Sequence, residues 1–242
     1  MSNPVISKGF SQSNAFMSDR PMSVVGTVNK MFLLLALLSV SFGVVWYQYA
    51  LGFVDKVAAM TGIGAIGGLV LALIIAFTRK AMNVLVPIYA FAEGMALGGI
   101  SAVANASFPG IVVQAVVATF TTLFALLMLY KAGVIKCTDK FRGIIIAATF
   151  GILLFYLISF VLSLFGVSLA PLQASTPLSI GISVGICVVA ALNLILDFDF
   201  IENGAIRGYD KSYEWYGAFG LMVTLVWLYV ELLELLAKIS RR

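Results

Sequence analysis

Residues Gly143–Phe165 read GIIIAATFGILLFYLISFVLSLF, a run without one Asp, Glu, Lys or Arg. As a helix rising about 1.5 Å per residue, it would cross a bilayer core of about 30 Å. Backbone amides and carbonyls find no water in hydrocarbon, so a spanning segment is either a helix or a strand of a closed barrel. Barrel strands are short and alternate in polarity, whereas this run is long and continuously apolar, so it reads as a helix.

Six more runs of the same kind surround it. They are Val28–Ala50, Val57–Phe77, Ala81–Ala104, Ile111–Tyr130, Pro177–Ile201 and Trp215–Ile239. The whole chain of 242 residues is 62% hydrophobic and 11% charged, against about 25% charged in an ordinary soluble domain. Its mean hydropathy is +1.07. The expected fold is all-α: a polytopic membrane protein with seven transmembrane helices. Residues 1–22 are polar and Ser/Asn-rich. They are expected to form a disordered cytoplasmic arm ahead of a single membrane domain over 23–242.

Basic residues set the orientation, because Lys and Arg accumulate in cytoplasmic loops. Lys8, Arg20 and Lys30 precede or open the first span. Arg79 and Lys80 follow the second, Lys131, Lys136, Lys140 and Arg142 the fourth, and Arg207 and Lys211 the sixth. The odd-numbered connections hold only Lys56. The N-terminus is therefore expected in the cytoplasm. Lys238, Arg241 and Arg242 at the far end run against this pattern, which keeps open an incomplete seventh crossing.

The chain has no histidine. This excludes zinc-dependent and serine–histidine proteolysis within the membrane, both of which use imidazole. An aspartyl mechanism would need a Gly-x-Gly-Asp motif, which is missing, so the chain is expected not to be an enzyme and to require no cofactor. Cys137 and Cys187 lie in a polar loop and mid-span, too far apart to suggest a disulfide. Three glycine pairs, Gly64/Gly68, Gly94/Gly98 and Gly181/Gly185, have the four-residue spacing that lets membrane helices approach closely.

The chemistry is expected in the intramembrane acids. A charged side chain at bilayer depth costs at least about 2.5–3.5 kcal/mol and usually marks a pathway or proton site. Glu93, Asp197, Glu231 and Glu234 fall in or at the ends of apolar runs, and Glu231 and Glu234, three apart, share one helix face. No base lies beside Glu231: Lys238 is about two turns on, and Arg79 could reach only from a deep second span. A carboxyl without a cation in low dielectric tends to hold a proton, and two neighbouring carboxyls can share one. Deprotonation would then drive them apart and leave a hard-oxygen site suited to calcium. Asn193, one turn before Asp197, could donate a hydrogen bond to it. Asp199, Glu202, Asp210 and Glu214 are expected to be solvated loop charges, with Asp199 kept as a supporting acid.

The last two runs resemble the Bax inhibitor-1 family, in particular its bacterial branch. The stretch LILDFDFIENG, with Asp197 and Ile201, is similar to the end of a late family helix. LYVELLELLA is similar to the last family helix, placing Glu231 at the family's acid and Glu234 at its asparagine. The basic connection LYKAGVIKCTDKFRG also fits. The family acid is usually Asp where Glu231 stands, and the aromatic before the first acid is here Leu196. The resemblance implies six helices around a more central seventh, and a pH-sensitive calcium leak in a bacterial cytoplasmic membrane. It implies a gating dyad of Asp197 and Glu231, which would also be the calcium ligands. Glu93 is the alternative partner of Glu231. The partners implied are the lipid bilayer, calcium and protons, with no nucleic acid. The alternative function is a non-transporting membrane protein that binds or regulates another, such as a protease. Asp197 can meet Glu231 only if the sixth helix continues to about Arg207. Gly204 and Gly208 are candidate stops.

Overall fold

A computed structural model describes residues 20–78, 81–166 and 176–241. These residues form seven helices: α1 (Val24–Ala50), α2 (Val54–Thr78), α3 (Met82–Ser107), α4 (Ile111–Lys131), α5 (Asp139–Leu164), α6 (Pro177–Ile206) and α7 (Tyr213–Ser240). All seven are long and apolar enough to cross a membrane. The chain is a multi-pass membrane protein. Only an isolated bridge between Pro21 and Asp210 has strand-type pairing among the described residues.

The helices overrun several of the apolar runs because their ends are held by caps and glycines. Ser23 caps α1 by accepting from the Gly26 amide, and Thr138 caps α5 by accepting from the Phe141 amide. The sixth helix passes Gly204 and stops only at Gly208, whose φ is 66°. There the Tyr209 amide turns back to the Gly204 carbonyl at 3.0 Å. A side chain would be strained at that φ, so Gly208 is the stop and Gly204 is an ordinary helical residue. The seventh helix is unbroken over 28 residues, which is long enough for a full crossing.

The described residues divide into two compact units. The first joins Met1–Gly99 to Asp199–Met222, and the second joins Ile100–Phe198 to Val223–Arg242. Residues 1–19, most of the expected cytoplasmic arm, lie outside the described residues, as does Arg79. Met22 is 3% exposed, and its amide donates to the Tyr209 carbonyl at 2.6 Å.

Two glycine pairs act in the first unit. A methyl group on Gly64 would lie 2.6 Å from the Ala92 carbonyl oxygen and 2.7 Å from the Ala96 nitrogen, so α2 and α3 touch backbone to backbone. Gly94 and Gly98 bring α3 against Leu38, Ser41, Phe42 and Val45 of α1 in the same way. The third pair departs from expectation: Gly181 and Gly185 are exposed and have open space around them. The spacing alone did not say which helix face is covered.

Large apolar side chains such as Phe150, Leu153, Phe160 and Leu164 of α5 are more than half exposed. On a soluble protein such a face would drive association. Here it is the surface that lipid solvates. Cys137 and Cys187 are both unbridged.

Candidate functional site

In the second unit α6 and α7 run antiparallel, and two polar contacts fix their register. The Thr224 hydroxyl on α7 bonds to the Asp197 carboxylate on α6. Lys238 Nζ on α7 donates to Ser183 Oγ on α6 at 2.8 Å. The interval is 14 residues on both helices, from 183 to 197 and from 224 to 238. The register is therefore constant along the contact.

That register answers the question left by the sequence. α6 does continue as far as needed, to Ile206, yet Asp197 does not meet Glu231. Its level on α7 is Thr224. Glu231 lies seven residues further, about 10 Å along the axis. Opposite Glu231 the register places Ala190, which is fully buried and too small to offer a polar group. The Glu231 carboxylate turns to other donors instead. Tyr156 of α5 donates its hydroxyl to Glu231 Oε1 at 2.5 Å, and Trp227, one turn back on α7, donates its indole N–H to the same oxygen at 3.0 Å. Among the described residues the two carboxylates thus have separate hydrogen-bond partners.

The two sites are both enclosed. Glu231 is 4% exposed. Asp197 is intermediate as a residue, but its Oδ2 is shut away from solvent and has no hydrogen-bond donor among the described residues. Neither carboxylate has an ion-pair partner among those residues. The nearest base, Lys238, is engaged by Glu234 at 2.7 Å.

The remaining sequence-derived candidates fall as follows. Glu234 is half exposed and bound to Lys238. Asn193 does not support Asp197: its amide donates to Thr149 Oγ1 at 2.8 Å and to the Val189 carbonyl at 2.9 Å. One turn separates it from Asp197, but its side chain points to α5. Glu93 belongs to the first unit, where it is bonded to Tyr89 one turn before it and lies beside Gly68. The sequence kept it as the alternative partner of Glu231; the partner found for it within its own unit is Tyr89. Asp199 was expected on the wet side and is instead buried at 9% exposure, because α6 carries it inside the protein for two more turns. Glu202 is exposed, as expected.

Sequence reasoning missed Glu214. Expected as a solvated loop charge, it is 1% exposed. Its carboxylate accepts from the Ser23 amide and the Ser23 hydroxyl, both at 3.0 Å, and from Lys30. It ties the start of α7 to the start of α1 across 191 positions of sequence. No local pattern signals a pair so distant.

Within the second unit α7 is bonded to three other helices. Tyr229 and Ser101 of α3 share a buried hydrogen bond of 2.7 Å. Glu231 joins α7 to α5, and Thr224 and Lys238 join it to α6. A family model described as Bax inhibitor 1 like matches residues 3–241. The chain belongs to the Bax inhibitor 1 like family. The match covers nearly the whole chain, so it includes the glycine contacts of α2 and α3 as well as the acids of α6 and α7. No curated protein matched the sequence.

Proposed function

We propose that this Bax inhibitor 1 like protein is a proton-regulated calcium leak of a bacterial cytoplasmic membrane, with its N-terminus in the cytoplasm. It works without enzymatic turnover and without a cofactor. The observation that carries the reading is a pair of enclosed carboxylates on one antiparallel helix pair, bonded only to neutral donors. Asp197 has the Thr224 hydroxyl, and Glu231 has Tyr156 and Trp227.

The physical argument follows from charge. Keeping carboxyl groups at bilayer depth without a counter-ion is costly, so their retention in a bundle points to a passing cation or proton. Calcium prefers oxygen donors and tolerates irregular geometry. Asp197 and Glu231 then act as two stations about 10 Å apart along α7. Around Glu231 the titratable groups are Tyr156 of α5, Cys187 of α6, and Glu234 and Lys238 of α7 itself. Protonating either station removes the negative charge that attracts the cation. Flux is therefore expected to fall as pH falls.

The test is calcium flux into vesicles carrying the purified protein, measured between about pH 5 and pH 8, a range in which no histidine is available to titrate. The expected result is a pH-dependent flux that the Asp197→Asn/Glu231→Gln protein loses by at least about tenfold, roughly 1.4 kcal/mol of barrier. Flux equal to that of protein-free vesicles at every pH would overturn the reading.

A further inference from the structure

Lys238 is the least expected side chain of the second unit. It lies in the last turn of α7, close enough to the helix end for its ammonium to reach the membrane interface, as lysines in such positions commonly do. It does not reach outward. The residue is 7% exposed, and its ammonium is turned inward to Ser183 of α6 at 2.8 Å and Glu234 at 2.7 Å. An ordinary surface Glu–Lys pair on one helix would leave both heads in water. Here the lysine head is enclosed and tethered to a second helix, while Glu234 remains half exposed.

Glu234 and Glu231 are three residues apart and share a face of α7. Both lie near Tyr156 of α5 and Cys187 of α6, in the same region of the unit. The two carboxylates and the Tyr156 hydroxyl make a set of hard oxygen donors, the type a divalent cation takes. One positive charge already sits in that set, and it belongs to the protein.

We infer that Lys238 is a tethered cation that neutralises Glu234 and so keeps Glu234 and Glu231 from binding a divalent cation together. It is a specificity-determining residue of the proposed pathway, and the inference rests on the assignment of Glu231 to that pathway. With Lys238 in place, a passing ion meets one free acid at this level and is held weakly. Without it, the ion meets two and is held.

The experiment reads binding, not flux, on the full chain in detergent. Terbium(III) serves as the calcium surrogate, and its luminescence is excited through Trp227, whose indole bonds to Glu231. Calcium competition confirms the site. Lys238→Met is expected to bind terbium at least about tenfold tighter than the unsubstituted protein, since affinity follows the number of ligand charges. Lys238→Arg retains the charge and should leave binding unchanged. Lys238→Met/Glu234→Gln should lose the gain. Ser183→Ala removes the inter-helix tether and should give a smaller gain of the same sign. It also replaces Lys238→Met as the test if that protein does not retain the native helix content by circular dichroism. No tightening in Lys238→Met, or a gain that survives Glu234→Gln, would overturn the inference. The result is independent of transport. A binding gain beside absent flux would remove the leak reading and leave the tethered cation standing. Flux without a binding gain would do the reverse.

Discussion

Glu214→Ala is expected to lower the unfolding free energy in detergent micelles by about 3 kcal/mol, the lower end of the range for breaking a buried ion pair. The lower end applies because the Lys30 side chain keeps 17% of its surface exposed, so some of the orphaned charge is recovered by water. The substitution leaves three groups without their acceptor: the Ser23 amide, the Ser23 hydroxyl and the Lys30 ammonium. The capping bond from the Gly26 amide to Ser23 Oγ is untouched, so α1 itself should still form. The loss is then in the tie between α1 and α7. Adding Lys30→Met to Glu214→Ala should restore part of the stability by removing the unpaired charge, and the two changes should be strongly non-additive. A loss below about 1 kcal/mol would mean that the pair behaves as a solvated surface bridge.

Gly64→Ala should cost nearly as much, about 3 kcal/mol, the upper end of the usual range for overpacking. The upper end applies because the added methyl would meet backbone atoms, the Ala92 carbonyl oxygen at 2.6 Å and the Ala96 nitrogen at 2.7 Å. A side-chain neighbour could rotate away. A helix backbone has to move as a whole, and α3 is also held by Gly94 and Gly98 against α1. Gly62 supplies the control within the same helix. A methyl there meets nothing within 4 Å, so Gly62→Ala should be neutral or gain up to about 1 kcal/mol from helix propensity. Thermal unfolding of the two proteins in one detergent separates the effects. Equal shifts would show that the α2–α3 contact yields more readily than its backbone approach indicates.

The spans were legible in the sequence because bilayer thickness sets a length that apolar runs either reach or do not. Their ends were less so. Pro177 begins α6 where the sequence placed it, but the same helix ran past Phe200 and Gly204 to stop at Gly208. That choice depends on backbone φ, and both glycines permit it. For the site, Asp197 and Glu231 were recognisable as acids that would be enclosed. Their partners were not. Asn193 stands one turn from Asp197 yet bonds to Thr149, because side-chain direction at that position is decided by a neighbouring helix. Asp199 and Glu214 looked wet because their local surroundings are polar, but each is buried.

The sequence by itself determined seven helices long and apolar enough to cross a membrane, the lack of histidine, the family and the presence of acids within those helices. These follow from composition, run length and local motif, which are properties of neighbouring residues. The tertiary structure decided which groups those carboxylates face. A 14-residue register between α6 and α7 set Asp197 against Thr224 and Lys238 against Ser183. It left Glu231 opposite Ala190, to be held by Tyr156 and Trp227. Register between packed helices comes from how side chains of both fit together, so neither helix's sequence carries it alone.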